Sequence, residues 1–196
     1  MALKVGVLIS GRGSNLKALL DDLSRPGAPA RIVVVISNVP GAGGLAHAKA
    51  AGVPAVTIDH RAYPDRTAFE AALTTALEEA GVELVCLAGF MRVLGEGFIA
   101  RWAGRLLNIH PSLLPAYRGL GTHERVIADG VPESGCTVHA VTAELDGGPI
   151  LAQRRVPVFA DDTPESLAAR VLEQEHRLYP LVVRCVAEGT MRVPAG

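Results

Sequence analysis

Three stretches carry residue types that could do chemistry. Asn108 and His110 lie two residues apart in Leu106 to His110, an apolar run that reads as a strand, so both side chains point to one face. An amide and an imidazole in one pocket could offer a donor to a developing oxyanion and a group that moves protons near neutral pH. The same pair could instead satisfy loop backbone beyond the strand.

Gly11-Arg12-Gly13-Ser14-Asn15 follows the apolar run Leu3 to Ser10 and precedes the helical pattern beginning at Leu16. A strand, a glycine turn and a helix N-terminus present backbone N–H groups to an anion, and phosphate is the natural ligand. Leu16 stands at the third glycine position of the dinucleotide fingerprint, and no Gly-Lys-Ser/Thr follows, so neither that fingerprint nor a Walker loop is present. A plain turn in which Ser14 or Asn15 caps the helix is the other reading. Asp146, in Leu145-Asp146-Gly147-Gly148-Pro149, sits on a turn whose glycines allow positive φ and close backbone approach. Ordinary hairpin chemistry accounts for it equally well.

The other histidines give weaker signals. His47, His60 and His123 have no partner pattern and read as surface or capping residues, whereas His139 alternates with Val138 and is expected in the core or a pocket. Phe98, Ile99 and Trp102 are at helical spacing and read as packing.

Elements that could position these groups alternate along the chain. Leu3 to Ser10, Arg31 to Ser37, Pro54 to Ile58, Leu84 to Ala88 and Leu106 to His110 read as buried strands; Gly44 to Ala51 and Arg66 to Ala80 read as helices, stopped by Gly52 and Gly81. Strands apolar throughout and alternating with helices imply a parallel sheet covered on both faces, an α/β fold with right-handed crossovers. From Ser134 the pattern changes, and Cys136 to Thr142 with Pro149 to Val156 reads as an antiparallel extension. Thr163 as N-cap and Pro164 as the first helical residue open a helix to about Ala187 that Pro180 is expected to kink.

Composition narrows the partners. The chain has 196 residues, 49% hydrophobic and 20% charged, enough for one core without a metal or disulfide staple, so a single domain over 1–196 is expected. Nineteen basic against 20 acidic residues give no broad basic field, and the 16 Arg against 3 Lys are spread along the chain. That disfavours nucleic acid or a membrane surface and favours small ligands. Cys86, Cys136 and Cys185 are odd in number and widely spaced, which suits a reduced, cytoplasmic compartment. The apolar start, cut off by Ser10-Gly11, is too short for a signal or membrane helix.

Taken together, Leu8 to Leu16, Leu87 to Leu94, Leu107 to Pro115 and Glu144 to Pro149 closely resemble the glycinamide ribonucleotide formyltransferases, folate-dependent transformylases of purine synthesis. The resemblance runs from Lys4 to about Val193, with four motifs in order. It implies a Rossmann-like, mostly parallel twisted sheet flanked by helices with an antiparallel C-terminal extension. It implies 10-formyltetrahydrofolate as the formyl-donating cosubstrate, no metal, and a monomer or homodimer.

By the same resemblance Asn108, His110 and Asp146 match the catalytic trio. Gly13, Ser14 and Asn15 match the site for the ribonucleotide phosphate, and Glu175 the residue holding the glycinamide end. Arg66, Met91, Arg92, Val93, Leu94, Asn108 and the backbone of Thr142, Ala143, Glu144, Leu145 and Asp146 match the folate site. The chain departs from the pattern at Gly121, where many members carry histidine, and at Leu172, where some carry a polar substrate contact.

The implied chemistry is attack of the acceptor's primary amine on the formyl carbon. Asn108 and protonated His110 would stabilise the tetrahedral oxyanion, His110 would move the proton to the departing folate nitrogen, and Asp146 would favour the imidazolium. Methionyl-tRNA formyltransferase and formyltetrahydrofolate deformylase share much of this core, but the first carries a further C-terminal domain and the second an N-terminal one. A non-enzymatic nucleotide-binding module would leave the trio unexplained.

Overall fold

The structure is a computed structural model and describes residues 1–195. Seven strands, β1 (Leu3–Ile9), β2 (Ala30–Ser37), β3 (Ala55–Thr57), β4 (Leu84–Leu87), β5 (Leu106–His110), β6 (Glu133–Ala140) and β7 (Ile150–Pro157), form one sheet in the order β3-β2-β1-β4-β5-β6-β7. The first five are parallel; β6 runs antiparallel to β5, and β7 to β6. The order reverses beside β1, so the carboxyl ends of β1, β4 and β5 surround the crevice where open α/β sheets bind ligands.

Period-two alternation divides the core between the two faces. Val5, Val7 and Ile9 of β1 face one side, with Leu16 and Leu19 of α1 (Ser14–Leu23) and Leu167, Val171 and Leu178 of a long C-terminal helix, α6 (Pro164–Ala187). Leu8, Val34 and Ile36 face the other, against Phe69, Leu73 and Leu77 of α3 (Arg66–Glu79) and Phe98 of α4 (Glu96–Arg101). Each such Leu contributes about 1.5–3 kcal/mol by leaving water. Tyr179 on α6 donates to the carbonyls of Leu87 and Leu107, at 3.0 and 3.2 Å, tying α6 to β4 and β5.

Several boundaries differ from the sequence expectation. The third strand shrinks to Ala55–Thr57, where all three residues are exposed at the sheet edge, and β6 begins at Glu133 because its ladder with β7 reaches Pro157. The first helix starts at Ser14 with Gly13 as N-cap, and no side chain caps it. A short helix, α5 (Thr122–Ala128), lacked a clear apolar stripe in the sequence; its N-cap is Gly121. α2 (Gly44–Ala50) follows the pattern. α6 opens with the expected Thr163 cap, which Ser166 reciprocates as a capping box, and runs as one helix with Pro180 inside it.

Candidate active site

Asn108 and His110 leave the carboxyl end of β5 on the face they share with Leu106, opposite β6. Asp146 comes from the turn between β6 and β7, which glycine permits: a Cβ on Gly148 would lie 1.8 Å from the Ala140 carbonyl oxygen. The turn carries the Asp146 carboxylate to His110, with Oδ2 3.4 Å from Nδ1 and accepting 2.9 Å from the Gly119 N–H. The other ring nitrogen, Nε2, lies 2.9 Å from the Tyr117 carbonyl oxygen. Both nitrogens therefore face acceptors, the surroundings of a doubly protonated imidazole.

Two non-glycine residues among those described have positive φ, Tyr117 at 55° and Asp146 at 49°. They are the two that contact His110. Left-handed backbone costs a non-glycine residue of order 1 kcal/mol or more and persists where surrounding structure over-determines it.

His139, which the sequence left between core and pocket, belongs to the site. Its Nδ1 lies 2.9 Å from the Ala140 carbonyl oxygen and so carries the hydrogen, leaving Nε2 as an acceptor. Asn108 Nδ2 is 3.2 Å from that Nε2 and donates to it, while Asp146 Oδ1 sits 3.7 Å away. Burial pushes the His139 pKa down, against the Ala140 hydrogen bond and the Asp146 charge, so the ring is neutral at pH 7. Asn108, His139, Asp146 and His110 thus form one connected chain of side chains. His123 is also closer than expected: it is half-buried, its pKa is lowered by burial, and His110 is near enough to lower it further. Its signal was absent because α5 was not legible.

On the α1 and α6 side, Gly13, Ser14 and Asn15 turn from β1 into α1. Gly13 takes φ +73° with its Cα against Gly44, where a Cβ would come within 2.6 Å of the Gly44 Cα. With no side-chain cap, the first N–H groups of α1 remain for a ligand. Leu172 and Ser14 line the same cleft.

Glu175 is buried, 6% exposed, in the stripe Leu167, Val171, Glu175, Leu178, where helix spacing calls for an apolar residue. A solvated helix face does not describe it. Burial pushes its pKa up to about 7, partly offset by a hydrogen bond from Asn15. Burial, with Glu175 nearby, raises the Cys136 thiol to about 12, and on the next residue of β6 Thr137 pairs with His110.

The folate-type residues are gathered less tightly. Met91 donates its N–H to Ser10 Oγ at 2.8 Å, which fixes the segment after β4 to the end of β1. Met91, Val93 and Leu145 are 68%, 65% and 58% exposed, an apolar rim on the segments that follow β4 and β6, whereas Leu94 is buried. Thr142, Ala143 and Glu144 form the approach to Asp146, and Glu144 pairs with Arg118. Arg66 packs against Gly95, next after Leu94, and lies 3.9 Å from Glu70. Arg92 is exposed and makes no ion pair or hydrogen bond among the described residues. No group of His, Cys, Asp and Glu among the described residues could hold a metal ion, and no helix there is long and apolar enough to cross a membrane.

An α/β sheet with an Asn, a His and an Asp at its carboxyl edge defines a class: the chain belongs to the formyl transferase family, which it matches over residues 3–183. It is 44% identical to phosphoribosylglycinamide formyltransferase from Escherichia coli (strain K12), over 97% of this chain and 90% of that one. Within the family the chain therefore groups with the phosphoribosylglycinamide formyltransferases and is a transferase. It is also 50% identical over 190 residues to the trifunctional purine biosynthetic protein adenosine-3 of Gallus gallus, and spans about a fifth (19%) of such relatives. The crystal structure of glycinamide ribonucleotide transformylase 1 from Symbiobacterium toebii superposes with a TM-score of 0.94 at 48% identity, covering 98% of this chain and 94% of that one.

Proposed function

We propose that the chain transfers a formyl group from 10-formyltetrahydrofolate to the amine of glycinamide ribonucleotide, in purine biosynthesis. The observation that carries this reading is the continuous set Asn108, His139, Asp146 and His110 at the carboxyl edge of the sheet, between an uncapped helix N-terminus and an apolar rim. The cosubstrate supplies the activated formyl group. Met91, Val93 and Leu145 suit its flat ring, because large apolar side chains this exposed mark a ligand surface.

The chain's own residues account for the rest. Asn108 gives one amide hydrogen to His139 and keeps the second for an oxygen that gains negative charge, its orientation fixed before substrate arrives. His110, held by Asp146 and the Tyr117 carbonyl, is a cationic donor in reach of the same space; delivering a proton requires it to leave one of those acceptors. Glu175, titrating near pH 7 in a buried position, loses its proton readily when an amine or ammonium approaches. Gly13, Ser14 and Asn15 receive the phosphate at the start of α1. We read the enzyme as a cytoplasmic single domain.

The test is product formation. Incubation with both substrates should yield formylated ribonucleotide, detected by mass spectrometry. Its absence, with both substrates bound, would reject the reading.

A further inference from the structure

A cleft of about 700 Å³ opens beside the glycine loop, between α1 and α6. Its two ends differ in charge. At the far end Asp22 pairs with Arg184 and, at 3.4 Å, with Arg25. At the loop end Arg12, His47 and His176 have no acidic partner among the described residues, and Lys17 has only Asp21, an exposed neighbour one helical turn on at 2.5 Å. Such a surface pair is weak and easily exchanged for a better anion.

His176 carries the second observation. Its Nε2 is buried with no hydrogen-bond partner among the described residues. Burial lowers its pKa, and the nearby Lys17 ammonium lowers it further. Two groups that can both be cationic converge on one space with nothing negative between them, an arrangement that an arriving anion relieves. Leu172 is one turn before His176 on the same face of α6 and lines the same cleft without a polar group to offer.

We propose that Lys17 and His176 together grip the phosphate of the acceptor, from α1 and α6, and so supply the polar contact that Leu172 cannot make. The inference rests on the ribonucleotide reading above and deepens it. The Lys17 ammonium acts as a compact charge and His176 Nε2 as a directional donor once protonated, while the N–H groups that begin α1 complete the ring of donors.

The experiment compares the full chain with Lys17→Met and His176→Asn, using three probes: glycinamide ribonucleotide, the same riboside without phosphate, and inorganic phosphate. Calorimetry should show ribonucleotide and phosphate bound about tenfold or more weakly by each variant, with riboside affinity within twofold of wild type. Unchanged ribonucleotide and phosphate affinity in both variants would overturn the grip, as would an equal loss of the riboside. If wild type makes no formylated product yet binds phosphate in a Lys17- and His176-dependent way, the acceptor reading fails and the grip stands. If product forms and phosphate binding ignores both residues, the reverse holds.

Discussion

Asn108 and His139 stand opposite each other across the antiparallel β5–β6 ladder, and their side chains meet at 3.2 Å. The strand pairing thus performs part of the chemistry. Cross-strand neighbours are held a few ångströms apart by the backbone, and the Ala140 carbonyl fixes which nitrogen of His139 accepts. The amide of Asn108 is thereby aimed without a contact from substrate.

That relationship predicts an outcome for His139→Phe, which keeps ring volume and removes the acceptor. Turnover should fall about tenfold or more while the KM of either substrate stays within a few-fold, because a misaimed Asn108 acts in the transition state. The double variant with Asn108→Ala should be no slower than the slower single variant. Additive losses in steady-state kinetics would show that His139 acts elsewhere.

His110→Ala should lower kcat by about 10² or more and leave ribonucleotide affinity within a few-fold. Near-normal turnover would remove His110 from the centre of the mechanism.

Glu175→Gln should separate stability from function. In the folded chain the carboxyl titrates at about 7 against a model value of 4.5, so the folded state binds the extra proton between those values and stability falls as pH rises through them. At pH 8 the folded state bears the full cost of a buried carboxylate, on the order of 3 kcal/mol. Denaturation should find the variant more stable than wild type at pH 8, nearly equal to it at pH 5, and weaker for the ribonucleotide throughout. Equal stability at both pH values would mean that Glu175 is not desolvated as described.

Gly148→Ala should cost about 1–3 kcal/mol in denaturant melts, because its Cβ would meet the rigid Ala140 carbonyl oxygen. The displaced turn should carry Asp146 away from His110 and depress kcat. A variant as stable and active as wild type would show that the turn can shift without disturbing the site.

The sheet was legible from the sequence because its strands are apolar throughout and its helices carry stripes; β1, β2, β4 and β5 lie close to where the alternation put them. β3 was overread because three exposed residues at an edge share the β-branched look of a buried strand. Of the site, Asn108 and His110 could be paired from spacing alone, since one strand carries both. Asp146 and His139 could not, because their distances to that pair depend on a turn and on antiparallel register. Glu175 did leave a signal: an acidic residue in the apolar stripe of α6 is either a misfit or a functional group. Lys17 and His176 left none, lying on different helices that only the packing of α1 on α6 brings together.

The most direct test of the account measures cleavage of 10-formyltetrahydrofolate by the wild-type chain with and without glycinamide ribonucleotide in parallel. The account predicts rapid donor consumption only when the amine is present, matched mole for mole by formylated product, and little hydrolysis without it. Donor loss at the same rate in both tubes would contradict it, because Asn108, His110 and Asp146 would then be serving water.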